Sequence, residues 1–259
     1  MNTRTIYFLT SLIPFIEGWA LVSELPHRSN KHGTELSASR RNFLEESVGL
    51  VTAAGSVLIV ASSDPVNAFE NRVPSKYDDR PRQRGSKASD LGVIERKSDT
   101  ELEDDYIGFK KCAMKPNCFC STDSMEFDPE HAIPSWKWPS NMKRDEAFQQ
   151  LEKTIKDYQP GQNNIDGGGF KIITSQPPKY LYVQFESLKN GFVDDVEFAS
   201  LSDNKNEIQV RSSSRLGFLD FGVNAKRLNY ISAALRKQGW DAIGVDYKTH
   251  PEYAGQNQL

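Results

Sequence analysis

"YLYVQFESLKNGFVDDVEFAS", Tyr180 to Ser200, decides the fold. Leu181, Val183 and Phe185 alternate with polar or hydroxyl-bearing neighbours, the period-two pattern of a strand with one face buried. Asn190 and Gly191 form the dipeptide best suited to a two-residue hairpin turn, because both central positions of that turn need φ > 0. With those two at the centre, Phe185 is expected opposite Val196, Val183 opposite Phe198 and Leu181 opposite Ser200. That register makes a nearly continuous apolar face, which supports it. A second hairpin across "SDNKN", Ser202 to Asn206, is expected to set Phe198 opposite Val210, Ser200 opposite Ile208 and Glu197 opposite Arg211.

The same register puts Glu186 beside Asp195 and Gln184 beside Glu197 on the face that carries Arg211. Like charges directly across a ladder repel, so a cation is required there. Arg211 supplies one, and Arg215 supplies another just past the strand end. An arginine fork holds a carboxylate through two parallel hydrogen bonds, so the expectation is an ion network that fixes register. A divalent-ion site on Glu186, Asp195 and Glu197 is the alternative; strand side chains converge poorly for it.

Upstream, "DGGGFKIITSQPPK" reads as a glycine-rich turn, a short strand and a turn at Pro177 and Pro178. The lysine and helix of a phosphate loop are missing after the glycines. Before it, Phe148, Leu151 and Ile155 repeat at helical spacing, with Asn141 as the expected cap and Pro160–Gly161 as the stop. Trp136 and Trp138 are expected to pack on the domain. Downstream, "GFLDFGVN" turns into a last helix whose stripe is Leu228, Ile231 and Leu235, with Gly239 its terminator. Asp220 or Asn224 caps it, and Arg227 reaches back to Asp220 or the strand end. Ser212, Ser213 and Ser214 have no base or activator beside them and read as strand residues, so no catalytic residue is assigned. The expected fold is α+β, an antiparallel sheet of about four strands with two helices on one face; a longer strand set closing round the last helix is the alternative.

The chain has three cysteines, Cys112, Cys118 and Cys120. Pro116 and Asn117 suit a turn that brings Cys112 and Cys118 together, and a disulfide there contributes roughly 2 kcal/mol. Cys120 is left over as a candidate redox thiol. A metal site with His131 as fourth ligand is the rival, and no metal or cofactor is assigned. Residues 69–105 are charged and without period, too poor in apolar groups to offset the entropy of ordering, and are expected to be a solvated, flexible arm. The folded domain is expected over 106–240, and a polar tail over 241–259.

The beginning of the chain reads as addresses. An arginine ahead of the apolar run Ile6–Ile16 marks a signal peptide, residues 1–20; a polar stretch, 21–39, resembles a plastid transit peptide. Arg40 and Arg41 then precede a weakly hydrophobic run that ends in Val66 and Ala68, a twin-arginine export signal over 40–68. An uncleaved anchor over Ser47–Ser63 is the rival, although the run is short for a span. Two stacked exports fit an alga with a secondary plastid, and the thylakoid lumen is the expected destination. The mature chain is expected to hold no membrane span. A net charge near −3 across 259 residues, 37% of them hydrophobic, offers no basic face for nucleic acid.

"CAMKPNC" (Cys112–Cys118), "HAIP" (His131–Pro134), "GFVDDVEF" (Gly191–Phe198) and "VRSSSRLGFLDFGVNAKR" (Val210–Arg227) occur in an order that resembles the domain of unknown function 1499 family. Cys120 stands where that family usually has serine. The resemblance implies a small exported or membrane-associated domain with no established reaction. It maps a polar cluster onto Asp194, Asp195, Arg211, Ser212, Ser214, Arg215, Asp220, Asn224 and Arg227. The expected function is non-enzymatic: an auxiliary, assembly or maintenance factor of a photosynthetic membrane complex such as a photosystem. The alternative is a ligand-binding or enzymatic domain whose pocket lies between sheet and helices, rimmed by Arg211, Arg215 and Asp194.

Overall fold

The computed structural model describes residues 68–98 and 104–259, so the two leaders and nearly all of the twin-arginine signal, Arg40 and Arg41 included, lie outside the described residues. The elements are β1 (Ile94–Arg96), β2 (Tyr106–Gly108), β3 (Cys118–Cys120), β4 (Trp136–Lys137), α1 (Arg144–Lys156), β5 (Gly169–Gln176), β6 (Tyr180–Glu186), β7 (Val193–Ala199), β8 (Glu207–Ser214), α2 (Val223–Arg236) and α3 (Pro251–Gln256). All strand pairs are antiparallel. β1 and β2 form a ribbon, and the main sheet runs β3-β8-β7-β6-β5 with β4 also beside β8. Mixed α and β structure with antiparallel sheets is as expected. The main sheet has six strands rather than about four, because the three residues of β3 and the two of β4 are too short to show a period.

The hairpin at Asn190 differs from the expectation. Leu181 pairs with Phe198, Val183 with Val196 and Phe185 with Asp194, a shift of two residues. The turn is longer than two residues: Ser187 and Phe192 close it, through the Phe192 carbonyl accepting the Ser187 N–H at 2.9 Å and Ser187 Oγ accepting the Phe192 N–H at 2.9 Å. Gly191, at φ 70°, supplies the left-handed residue at its end. A shift of two preserves which face each side chain occupies. Glu186 consequently stands opposite Val193, Gln184 opposite Asp195 and Tyr182 opposite Glu197. The second hairpin is as expected at Phe198 with Val210 and Glu197 with Arg211, while its ladder stops at Ala199 with Gln209, before Ser200.

Leu181, Val183, Phe185, Val196, Phe198, Ile208 and Val210 face one side, where they share a core with Phe148, Leu151 and Ile155 of α1 and Leu228, Ile231 and Leu235 of α2. Trp136 and Trp138 are buried in that core, the latter edge-on to Trp240 at 6.1 Å. Asn141 does not cap α1. The cap is Lys143, without a side-chain hydrogen bond, and Asp145 and Glu146 instead place negative charge at the positive helix end. Asp220 serves α2 from two residues ahead, its carboxylate accepting the N–H groups of Gly222 and Asn224 at 3.0 and 2.8 Å.

The sheet's other face is covered too. The arm expected to be solvated lies along it: Val73 N–H donates to Gly167 O at 2.8 Å, and Gln83 N–H to Asn190 O at 2.8 Å. Gly169, at φ 90°, makes this approach possible, since a Cβ there would sit 2.4 Å from Asn71 Oδ1. Phe109, Cys112, Cys118, Cys120 and Ala199 form a second, smaller core on this face, with Val93 packed on it. The expected polar tail is likewise folded back: Tyr253 of α3 is buried edge-on against Phe119 at 4.7 Å. Among the described residues, no helix is long and apolar enough to cross a membrane.

Candidate functional site

The expected polar cluster is divided by the sheet. Asp194, paired with Phe185 and Ser214, faces the helices, and Ser212, paired with Val196, does the same. Asp195, across from Ser213, and Arg211, across from Glu197, face the arm.

On the helix face Arg227 is the hub, 1% exposed and 4.7 Å over the Phe185 ring. Its Nε and Nη2 donate to Asp166 Oδ2 and Oδ1 at 2.8 and 2.5 Å, a fork on a carboxylate. Nη2 also donates to Asp194 Oδ2 at 2.6 Å, and Nη1 to Asn224 Oδ1 at 3.0 Å. Asp166 accepts a further hydrogen bond from the Tyr158 hydroxyl at 2.6 Å. Asn224 ties the cluster to β8, accepting from Ser212 Oγ at 2.6 Å and donating to Ser214 Oγ at 2.9 Å. Asp220 completes it by accepting the Tyr253 hydroxyl at 2.9 Å.

Two buried carboxylates share this one guanidinium. Burial pushes the Asp194 carboxyl above its ordinary range, against the pull of Arg227. Burial also works against the charge on Arg227, yet Asp166 and Asp194 outweigh it and hold the guanidinium well above its usual value. The charge is therefore permanent and permanently engaged.

On the arm face Arg215 supplies the second cation, and its place is at Asp195: its Nε and Nη2 fork onto that carboxylate at 2.8 Å each. That carboxylate raises Arg215 further, against its burial. The Tyr182 hydroxyl donates to Asp195 Oδ1 at 2.5 Å and is pushed up to about 12, first by burial and then by that bond. Glu197 accepts from Arg211 Nη1 at 3.2 Å, from the Tyr180 hydroxyl at 2.7 Å and from the Gly92 N–H at 2.6 Å. Glu186 is met by the arm, through Arg84 Nε at 2.7 Å and Arg82 Nη1 at 3.5 Å. Burial nonetheless leaves its carboxyl raised.

The expected ion network on this face is present, and its carboxylates are divided among four arginines rather than gathered round one point. Arg211 and Arg215 lie on the opposite face of the sheet from Asp194, so these three do not rim one pocket. Ser212 and Ser214 serve as hydrogen-bond bridges. The two histidines among the described residues lie elsewhere: His131 bonds Asp128 at 2.7 Å, and His250 faces the carbonyl oxygens of Ala132 and Asp246.

Cys112 and Cys118 form the expected disulfide. Cys120 is buried beneath the arm face, and burial followed by the nearby Asp123 carboxylate pushes its thiol up to about 11. Thiolate chemistry is favoured by the reverse, a depressed and accessible thiol. Asp166, Tyr158, Tyr180, Tyr182, Arg82 and Arg84 were not anticipated. Asp166 precedes the glycine tract and carries no sign of a partner 61 residues away.

Residues 109–235 match the model of a family described as a protein of unknown function (DUF1499). Over that segment, which spans just under half of the chain, the protein is similar to this family. No curated protein and no solved structure matches the chain. The matched segment contains the whole of the Arg227 cluster except Tyr253, whereas Arg82, Arg84 and Gly92 lie ahead of it.

Proposed function

We propose that this chain is a non-enzymatic protein of the thylakoid lumen in a secondary plastid that associates with a photosynthetic membrane complex as an auxiliary, assembly or maintenance factor. The observation that carries the reading is the fate of the family's polar residues. Asp194, Asp195, Arg211, Arg215, Asp220, Asn224 and Arg227 each bond a partner within the fold. Groups so engaged hold two layers onto a sheet, and what the domain offers to others is its outer surface.

The stacked leaders and the twin-arginine signal support the address. Gradient fractionation of solubilised thylakoids tests the association: the native protein is expected to travel with a photosystem. Recovery as a free monomer, with complexes unchanged when the gene is deleted, overturns the reading. Amino-terminal sequencing tests the address, and a native start at Met1 defeats it.

A further inference from the structure

The sheet ends at a pole built from the disulfide loop, the segment 121–131, the loop after β8 and α3. A cleft of about 560 Å³ opens there. Its walls are apolar: Met114, Phe127, Phe218 and Tyr253 line it. Three of these are left in solvent by the fold, Met114 at 92%, Phe218 at 65% and Phe127 at 54% exposure. Exposed apolar side chains gathered at one place mark interaction surfaces. Met114 is moreover carried at the tip of a covalently closed loop, beside Ala113 at φ 52°, so its outward position is set in advance.

The rim has one dominant sign. Asp123, Asp128, Glu130 and Glu252 line the cleft, against Lys111 and His131. Glu130 accepts the N–H groups of Glu252 and Tyr253 at 3.1 Å each, and Asp123 accepts that of Cys112 at 3.0 Å. These donors are neutral, so the charges persist. A bilayer with anionic headgroups is repelled by such a rim. A lysine or arginine is drawn to it, with its aliphatic stem against the apolar wall and its head over an aromatic face or a carboxylate.

We propose that this cleft docks a basic, apolar-flanked segment of a partner protein, with the cationic head on the carboxylates and its neighbours on Met114, Phe127 and Phe218. The inference rests on reading the chain as a binding protein and adds the surface and the chemistry of the partner. Charge complementarity of this kind sets orientation and on-rate, and it weakens with salt.

The test titrates the intact chain into a fluorescein-labelled peptide alternating leucine and arginine, followed by anisotropy. The pH is held above the point, about 6, to which burial pushes the Asp123 carboxyl. Saturable binding is expected, at least about tenfold weaker for Phe218→Ser and for Glu252→Lys, and likewise for a peptide with glutamate in place of arginine. Both positions are exposed, so the variants keep the fold, which circular dichroism checks; Ile243→Ser, exposed elsewhere, is expected to bind as the parent does. Absence of saturable binding overturns the proposal. So do variants that bind as the parent does, self-association in place of peptide binding, and preferential binding to anionic lipid vesicles. Failure here with co-migration intact leaves the proposed function standing, and success here without co-migration leaves a peptide-binding protein with a different partner.

Discussion

The two faces of the sheet solve the same electrostatic problem with different parts of the chain. On the helix face, Asp166 and Asp194 are met by Arg227, which arrives on α2 inside the matched segment. On the arm face, Arg211 and Arg215 meet Glu197 and Asp195 from within that segment, but Glu186 depends on Arg82 and Arg84 ahead of it. One network is intrinsic to the domain. The other is finished by a strap, and a relative without that strap needs some other cation over Glu186.

Breaking the helix-face network has the largest expected effect. Arg227→Met leaves two carboxylates buried without a cation, and the expected loss is about 3–5 kcal/mol in chemical denaturation, enough to unfold many domains of this size. Asp194→Asn sharpens the point, since it leaves one carboxylate to one guanidinium and is expected to cost far less. A loss from Asp194→Asn as large as that from Arg227→Met would show that the pair, not the charge balance, holds the cluster.

Removing the strap comes next. A chain beginning at Val93 loses the Glu186 arginines, and a buried acceptor so orphaned costs about 1–3 kcal/mol; it also loses the Gly92 N–H, although Glu197 keeps Arg211 and the Tyr180 hydroxyl. Hydrogen exchange is expected to quicken in β6 and β7 amides on that side while α2 stays protected. Uniform acceleration across the whole domain would mean that the two faces are not separable.

Reduction of Cys112–Cys118 removes the cross-link over the arm-face core and is expected to lower stability by roughly 2 kcal/mol, read as a fall in melting temperature. A comparable effect follows pH. Asp123 is raised from 3.8 to about 6 by burial foremost, so the folded state favours its protonated form. Its stabilising contribution is complete below the unfolded value and is lost as pH rises through about 6. Asp123→Asn is expected to flatten stability over that window and to gain about 1–3 kcal/mol at neutral pH. The smallest effect is expected from Cys120→Ser, within about 1 kcal/mol, because a small side chain replaces a small side chain in a site that already contains polar neighbours. Iodoacetamide should label Cys120 only after unfolding.

How far the sequence could be read follows the length of each signal. Period two survives a register error, so the faces of Asp195, Glu197, Arg211 and Val183 were legible even though Asn190–Gly191 suggested a turn of the wrong size. Ser187, whose hydroxyl captures the Phe192 N–H, gave no warning of the longer loop. β3 and β4 have too few residues to show any period. The arm was misjudged for a different reason: composition measures the apolar area a segment can bury, whereas this one docks through guanidinium groups and backbone hydrogen bonds. Asp166 illustrates the limit of local reading, since its only distinction is a partner on a helix that passes near it in space.

The contact between Tyr253 and Asp220 has a consequence in time. The carboxylate that organises the start of α2 is completed by a hydroxyl from α3, and Asn257 Oδ1 accepts the Asp220 N–H in the same corner. A chain that emerges amino end first exposes the Phe119 side of its core until these residues are free. Removal of α3 is therefore expected to loosen the start of α2 and to bare the Phe119 ring, an effect on the domain rather than on a tail.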